Sequence, residues 1–198
     1  MDRPDAPGFG ILFICTGNIC RSPLADRLAS TYLDDVPGVR VASAGSRAVM
    51  GSAMHPFSAE VLTGFGGEPA GFVARQLDAA AVASAQLVLG MTREHRRAAL
   101  ELDPRALARV FTVREAADLL RMLGDTDVSG ETFPDRARAL VRAMATARSR
   151  RTSDSTDDVD DPIGRPFRAH QEAGEAIAAA VHPLMRRIVA LRDADVRT

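Results

Sequence analysis

Lysine and tryptophan are absent from the chain, tyrosine occurs once and cysteine twice. Two cysteines cannot build a disulfide framework, and no third is available to complete a zinc site. Both, Cys15 and Cys20, lie in one short stretch, so reactivity rather than scaffolding is their expected use. No apolar run approaches the ~20 residues that span a bilayer. The start, Met1 to Asp5, is acidic and lacks the shape of a signal peptide, which predicts a cytoplasmic protein without a membrane partner. A net charge of −1 leaves no electrostatic footprint for nucleic acid. The four histidines, His55, His95, His170 and His182, have no metal-ligand spacing, and His95 and His170 read as helix-surface residues. The aspartates from Asp154 to Asp161 lack the glycine turn of a calcium loop. No metal or other cofactor is therefore expected.

What is present is an ordinary globular composition, 46% hydrophobic and 26% charged over 198 residues, which suits one domain spanning 1–198. Residues 1–8 read as a loose leader. Apolar runs at Phe9–Ile14, Val39–Ser43, Gln86–Met91 and Ala108–Phe111 read as strands. Helical patterns fall between and after them: Pro23–Leu33, His55–Phe65, Ala79–Ala83 behind the cap Asp78, Arg93–Leu100 behind Thr92, Thr112–Leu123, Phe133–Arg148 and Phe167–Leu191. The alternation predicts an α/β fold, a four-stranded parallel sheet with helices on both faces. Residues 124–158 read as an extended insert ending in a mobile acidic tract, Arg150–Asp158, which has almost no apolar residue. Ligands of such sheets bind beyond the C-terminal strand ends, where Cys15, Ser43 and Met91 fall.

The stretch Cys15-Thr16-Gly17-Asn18-Ile19-Cys20-Arg21-Ser22-Pro23 lies between the first strand and the first helix. A tight loop at a helix N-terminus turns its backbone N–H groups toward an anion. Thr16 to Ser22 are thus the expected phosphate-binding loop. The helix start and Arg21 both favour a thiolate at Cys15, the form that attacks. Arg21 can grip two phosphate oxygens in a fork. Gly17 permits close approach and an unusual backbone angle, Asn18 tolerates the left-handed region, and Ser22 can donate to the sulfur. Attack on phosphorus would give a cysteinyl-phosphate that water then opens. The leaving oxygen needs a proton, and Asp161, before Pro162, is the expected general acid, with Asp160 its rival. Cys20 reads either as a packed thiol or as a redox partner of Cys15.

These residues resemble the low-molecular-weight protein tyrosine phosphatase family, over about Gly10 to Asp118 and Asp158 to Leu191. The resemblance implies a cysteine-dependent phosphomonoester hydrolase, acting on phosphotyrosine of a protein as a monomer or weak dimer. It assigns Cys15 as nucleophile, Arg21 as clamp and Asp161 as acid. Ser43-Ala44-Gly45-Ser46 resembles the family segment whose serine braces the loop asparagine, and Leu87 to Arg96 resembles the third strand and its helix. The insert resembles that of extended actinobacterial members. One departure stands out: Ile163-Gly164 follow Asp161-Pro162, where aromatic residues are common, and Met50, Met54 and Phe57 are candidate replacements for that wall. A small phosphorylated metabolite and phosphoarginine are alternative substrates. In phosphoarginine phosphatases the position of Ile19 is typically threonine, so Ile19 favours an ester. An arsenate reductase would need cysteines outside the loop, and a non-catalytic phosphate-binding module would not need Cys15, Arg21 and Asp161 together.

Overall fold

A computed structural model describes residues 8–124, 128–152 and 155–193. The expected leader, apart from Gly8, lies outside the described residues. The fold is built on β1 (Phe9–Cys15), all seven residues of which are buried. Ile11 and Phe13 face one core and Leu12 and Ile14 the other. A strand that is apolar on both faces belongs in the middle of a covered sheet. It pairs in parallel with β2 (Val39–Gly45) on one side and β3 (Leu87–Gly90) on the other, and β3 pairs with β4 (Val110–Thr112). The strand order is β2-β1-β3-β4, the parallel four-stranded sheet expected.

Among the described residues seven α-helices cover it: α1 (Arg21–Leu33), α2 (Pro56–Gly64), α3 (Ala79–Ser84), α4 (Arg93–Leu102), α5 (Val113–Leu123), α6 (Phe133–Ala147) and α7 (Phe167–Asp193). The larger core joins Ile11 and Phe13 to buried side chains of α1, α5, α6 and α7. The smaller joins Leu12 and Ile14 to residues of α3 and α4. Local chemistry sets the helix starts. Asp78, Thr92 and Thr112 each accept the N–H three residues on, and His55 caps α2 ahead of Pro56. In α7 the residues Ile177, Val181, Leu184 and Ile188 are buried at helical spacing, and the helix continues through Pro183.

The tract expected to be mobile is tied down where it is described. Arg151 pairs with Asp118 of α5 at 2.5 Å and with the buried Asp157. Asp158 accepts from the backbone N–H of Arg93 at 2.8 Å, and Val159 N–H donates to the Met91 carbonyl at 2.8 Å. A run without apolar residues is anchored here by paired charges instead. The chain from 157 to 161 is thereby held against the C-terminal end of β3.

A second pair, a buried glutamate with a half-buried arginine, fixes α6 to the sheet edge. Glu115 closes the capping box of α5 and is 2% exposed. It accepts from Arg148 Nε at 2.8 Å, and the same guanidinium donates to the Val110 carbonyl and lies 4.2 Å from the Phe111 ring centroid. Removing one member of a buried pair strands the other. Arg148→Ala is expected to cost about 3 kcal/mol, a fall in Tm of roughly 6–12 °C for a domain of this size. Thermal and urea denaturation measure it; an unchanged midpoint would show that Glu115 does not depend on Arg148.

Candidate active site

The loop between β1 and α1 owes its shape to where its carbonyls point. Those of Cys15, Thr16, Gly17 and Ile19 accept N–H groups of Ser46, Arg47, Val49 and His55, at 2.9, 2.9, 2.9 and 2.7 Å. With four carbonyls bound to the 46–55 segment, the N–H groups are left to the other side. Among the described residues those of Gly17, Ile19 and Cys20 make no hydrogen bond. Those of Arg21 and Ser22 are orphan donors of the first turn of α1. Asn18, at φ 55°, is the one non-glycine residue in the left-handed region among those described. This is the left-handed region that Asn18 was expected to tolerate; Gly17 does not have a positive φ. Gly45 is required for a different reason: a Cβ there would sit 2.6 Å from the Thr16 carbonyl oxygen.

Cys15 lies at the base of this loop, 2% exposed. Its sulfur accepts from Asn18 N–H at 3.3 Å and from the Ser22 hydroxyl at 2.9 Å. The direction of the second bond follows from its neighbours. The backbone N–H of Arg75 can only donate, and it reaches Asn18 Oδ1 at 2.9 Å. That fixes the amide so that Asn18 Nδ2 donates to Ser22 Oγ, also at 2.9 Å. Ser22 therefore accepts from Asn18, and its own hydrogen is free for the sulfur.

Arg21 is 4% exposed and spans the site. Its Nη1 donates to the Val159 carbonyl at 2.9 Å and its Nη2 to Asp161 Oδ2 at 2.5 Å. Its Nε is buried without a hydrogen-bond partner among the described residues. The other oxygen of Asp161 accepts from Ile163 N–H at 3.2 Å, and its side chain is 42% exposed. Asp160, by contrast, is 90% exposed and faces Arg165 at 3.8 Å. Of the two aspartates, the fold brings Asp161 to the loop.

The cavity above Cys15 measures about 200 Å³. Ile19, Val49 and Ile163 supply its apolar walls, and Arg47 and Asp161 stand at its rim. The residues expected as walls lie elsewhere: Met54 is buried in the larger core, and Met50 and Phe57 are exposed outside the cavity. A larger groove of about 760 Å³ runs past Arg40, Arg75 and Asp78, and contains no residue of the 15–22 loop.

A scan against known families finds that the model described as low molecular weight phosphotyrosine protein phosphatase matches residues 10–127. The chain belongs to that family. The low-molecular-weight protein-tyrosine-phosphatase Wzb of Salmonella typhi is 34% identical over 141 residues, 68% of this chain and 93% of the relative. A protein-arginine-phosphatase of Geobacillus stearothermophilus is 38% identical over 107 residues, 54% of this chain and 70% of the relative. Among solved structures, the YwlE arginine phosphatase of the same organism superposes with a TM-score of 0.66 at 27% identity, covering 96% of this chain and 98% of the other. This low-molecular-weight phosphatase is thus a cysteine-dependent phosphatase by family.

Ser43 of this phosphatase does not hold the place expected for it. The hydroxyl of Ser43 does not reach Asn18; it donates to Asp26 Oδ2 of α1 at 2.8 Å. A carboxylate is the stronger acceptor, and Asn18 Oδ1 is already taken by Arg75 N–H. Ser43 supports the loop through its carbonyl, which accepts from Arg75 Nε at 2.6 Å. Cys20 contributes backbone to the loop, but its thiol is buried toward α2. Burial raises it to about 11, against a hydrogen bond from Ser58 that lowers it.

His95 is 3% exposed rather than on a helix surface. Its Nε2 lies 3.0 Å from Thr16 Oγ1 and its Nδ1 2.8 Å from Thr92 Oγ1, so one neutral ring ties the loop to the start of α4. Gly90 allows this approach, since a Cβ there would lie 2.9 Å from Arg96 N and 3.1 Å from His95 Cβ. No periodicity in the sequence announces it. Burial, then the charge of Arg21, lowers its pKa from 6.5 to about 4. The unfolded chain takes up this proton as pH falls through 6.5, while the folded chain waits until about 4. Stability is therefore full above pH 6.5 and falls across that window by up to about 1.4 kcal/mol per pH unit. His170 and His182, also lowered by burial, add to the fall with the same sign. His95→Gln should flatten the pH dependence of urea stability between 6.5 and 4; an unaltered slope would exclude His95 as its source.

Proposed function

We propose that this phosphatase hydrolyses phosphotyrosine on proteins, with Cys15 as nucleophile, Arg21 as phosphate clamp and Asp161 as general acid. The observation that carries the reading is the convergence, around one thiol, of unpaired loop N–H groups and the buried, unpartnered Nε of Arg21. Buried donors are costly to leave unmet, and a phosphoryl group meets them.

The steps follow from these positions. The Cys15 thiolate attacks phosphorus, and the P–O bond to the leaving group breaks. The departing oxygen takes the proton of Asp161. Asp161, now a carboxylate, removes a proton from water, whose oxygen attacks phosphorus as the P–S bond breaks. The Ser22 hydroxyl, 2.9 Å from the sulfur, stabilises the thiolate as it leaves in that second step. Arg21 Nη2 and the loop N–H groups bear the charge that develops on the equatorial oxygens.

The walls of the cavity support a flat hydrophobic leaving group. Ile19, Val49 and Ile163 form a short apolar slot above the thiol. Phosphoarginine is the second reading, favoured by the likeness to arginine phosphatases. Against it stands Ile19, where those enzymes typically carry a threonine; a guanidinium would find no hydroxyl there.

Purified protein should hydrolyse p-nitrophenyl phosphate without added metal, and Cys15→Ser should abolish turnover while leaving the fold. Undiminished turnover in Cys15→Ser would end the mechanism. Asp161→Asn is expected to slow phosphoryl transfer by roughly 10²–10⁴-fold, and Asp160→Asn to have little effect. The reverse result would move the acid by one residue. For the substrate, kcat/KM should rank a phosphotyrosyl peptide above phosphoarginine and sugar phosphates. A preference for phosphoarginine that deepens in Ile19→Thr would overturn the ester reading.

A further inference from the structure

Between the phosphate loop, α2 and α7 the fold gathers three side chains that the phosphatase reaction does not use. They come from the loop itself (Cys20), the N-cap of α2 (His55) and the first turn of α7 (His170). Each offers one ligand atom, and these atoms all lie within 4.8 Å of one another. Their separations in sequence, 35 and 115 residues, carry no metal-site spacing, which is why the sequence predicts none.

We propose that Cys20, His55 and His170 form a binding site for a thiophilic transition-metal cation of the zinc class, distinct from the phosphate site. A thiolate and two imidazoles are the donor set that selects such a cation over magnesium or calcium. Tetrahedral geometry with bonds of ~2.0–2.1 Å to nitrogen and ~2.3 Å to sulfur puts ligand atoms ~3.4–3.6 Å apart. Closing from 4.8 Å asks for shifts of about an ångström, within reach of side-chain rotation at the half-buried His55.

The surroundings fit that use. His170 is 1% exposed, and its Nε2 is buried without a well-formed hydrogen bond, the Pro162 carbonyl being the ring's other polar neighbour. Its Nδ1 lies 2.9 Å from Ser58 Oγ. With the ring proton on Nδ1 donated to Ser58, the serine hydrogen turns to Cys20, its other partner. That is the outer-shell support a ligating histidine requires. The rings of His55 and His170 stack 4.5 Å apart at 18°, and Phe57 sets its edge against both. Coordination through Nε2 of His55 moves its ring proton to Nδ1 and gives up one long contact, 3.3 Å from Phe57 N–H. The Cys20 thiol releases its proton to solvent as the metal–sulfur bond forms, and solvent fills the fourth position. The nearest fixed charges, Arg21 and Asp161, are paired with each other, so the site does not face a lone cation.

The site is tested in the Cys15→Ser protein, where Cys20 is the single remaining cysteine, with inorganic phosphate in the loop. Titration with Co²⁺ should give one equivalent of binding and a near-ultraviolet thiolate-to-cobalt charge-transfer band, displaced by Zn²⁺. His170→Gln and His55→Gln in that background should each weaken Co²⁺ binding by about tenfold or more. The fold of the same two variants is read by circular dichroism and thermal melting, which should match the parent protein. If His170→Gln does not fold, the half-buried His55→Gln decides alone. Absence of a thiolate band in Cys15→Ser, or a band that the foldable histidine variants leave unchanged, would overturn the site without touching the phosphatase reading.

Discussion

The structure turns on the disposal of four carbonyl groups. A loop of eight residues cannot present several N–H groups to one point unless its carbonyls are satisfied elsewhere, because each peptide carries both. Here the 46–55 segment accepts that task, supplying N–H donors to Cys15, Thr16, Gly17 and Ile19 in order. The arrangement depends on β2 lying beside β1 in register, with Gly45 opposite Cys15, so that the chain leaving β2 runs alongside the chain leaving β1. It depends equally on the missing side chain of Gly45, which lets the Thr16 carbonyl come close. The doubly buried β1 is thus more than a core strand: it sets the height at which the loop begins.

From that constraint the electrostatics of the thiol follow with little freedom. The N–H of Arg75 fixes the amide of Asn18, the amide fixes the role of the Ser22 hydroxyl, and the hydroxyl donates to Cys15. Each link is decided by the one before it, and the polarity ends on sulfur. Dipoles held in this way need no reorganisation when charge moves during reaction. His95 serves the same end from the opposite flank, held between two threonine hydroxyls and kept neutral by burial and by Arg21.

What could be read from the sequence was local. Strand, loop and helix start are consecutive, so the loop that carries Cys15 and Arg21 was legible, as were the caps Asp78 and Thr92. What could not be read was which distant partner each polar group would meet. Ser43 lies at the expected strand end yet bonds Asp26, because α1 brings a carboxylate nearer than the amide. His95 is buried where the first turn of α4 meets the sheet end, and His170 where the first turn of α7 packs on α2, contacts between distant segments that neither histidine announces in the sequence. The tract before Asp161 has the composition of a disordered run. Its described part is anchored by Arg151 between two carboxylates, a partnership that composition cannot reveal. The cavity walls were misplaced for a related reason: Val49 rather than Met50 faces inward, since Val49 N–H is bound to Gly17 and its side chain stays with the loop.

Arg21 joins these separate pieces, and its geometry bears on the order of events. Its guanidinium donates to the Val159 carbonyl through one terminal nitrogen and to Asp161 through the other. A phosphate in the loop would compete with Asp161 for Nη2 and could leave the Val159 contact in place. The anchor of the 157–161 segment would then be independent of the phosphate, while the Asp161 carboxylate would be released. On the roles proposed above, arrival of the phosphoryl group would free Asp161 from the clamp to serve as proton donor, and one side chain, Arg21, would perform the exchange.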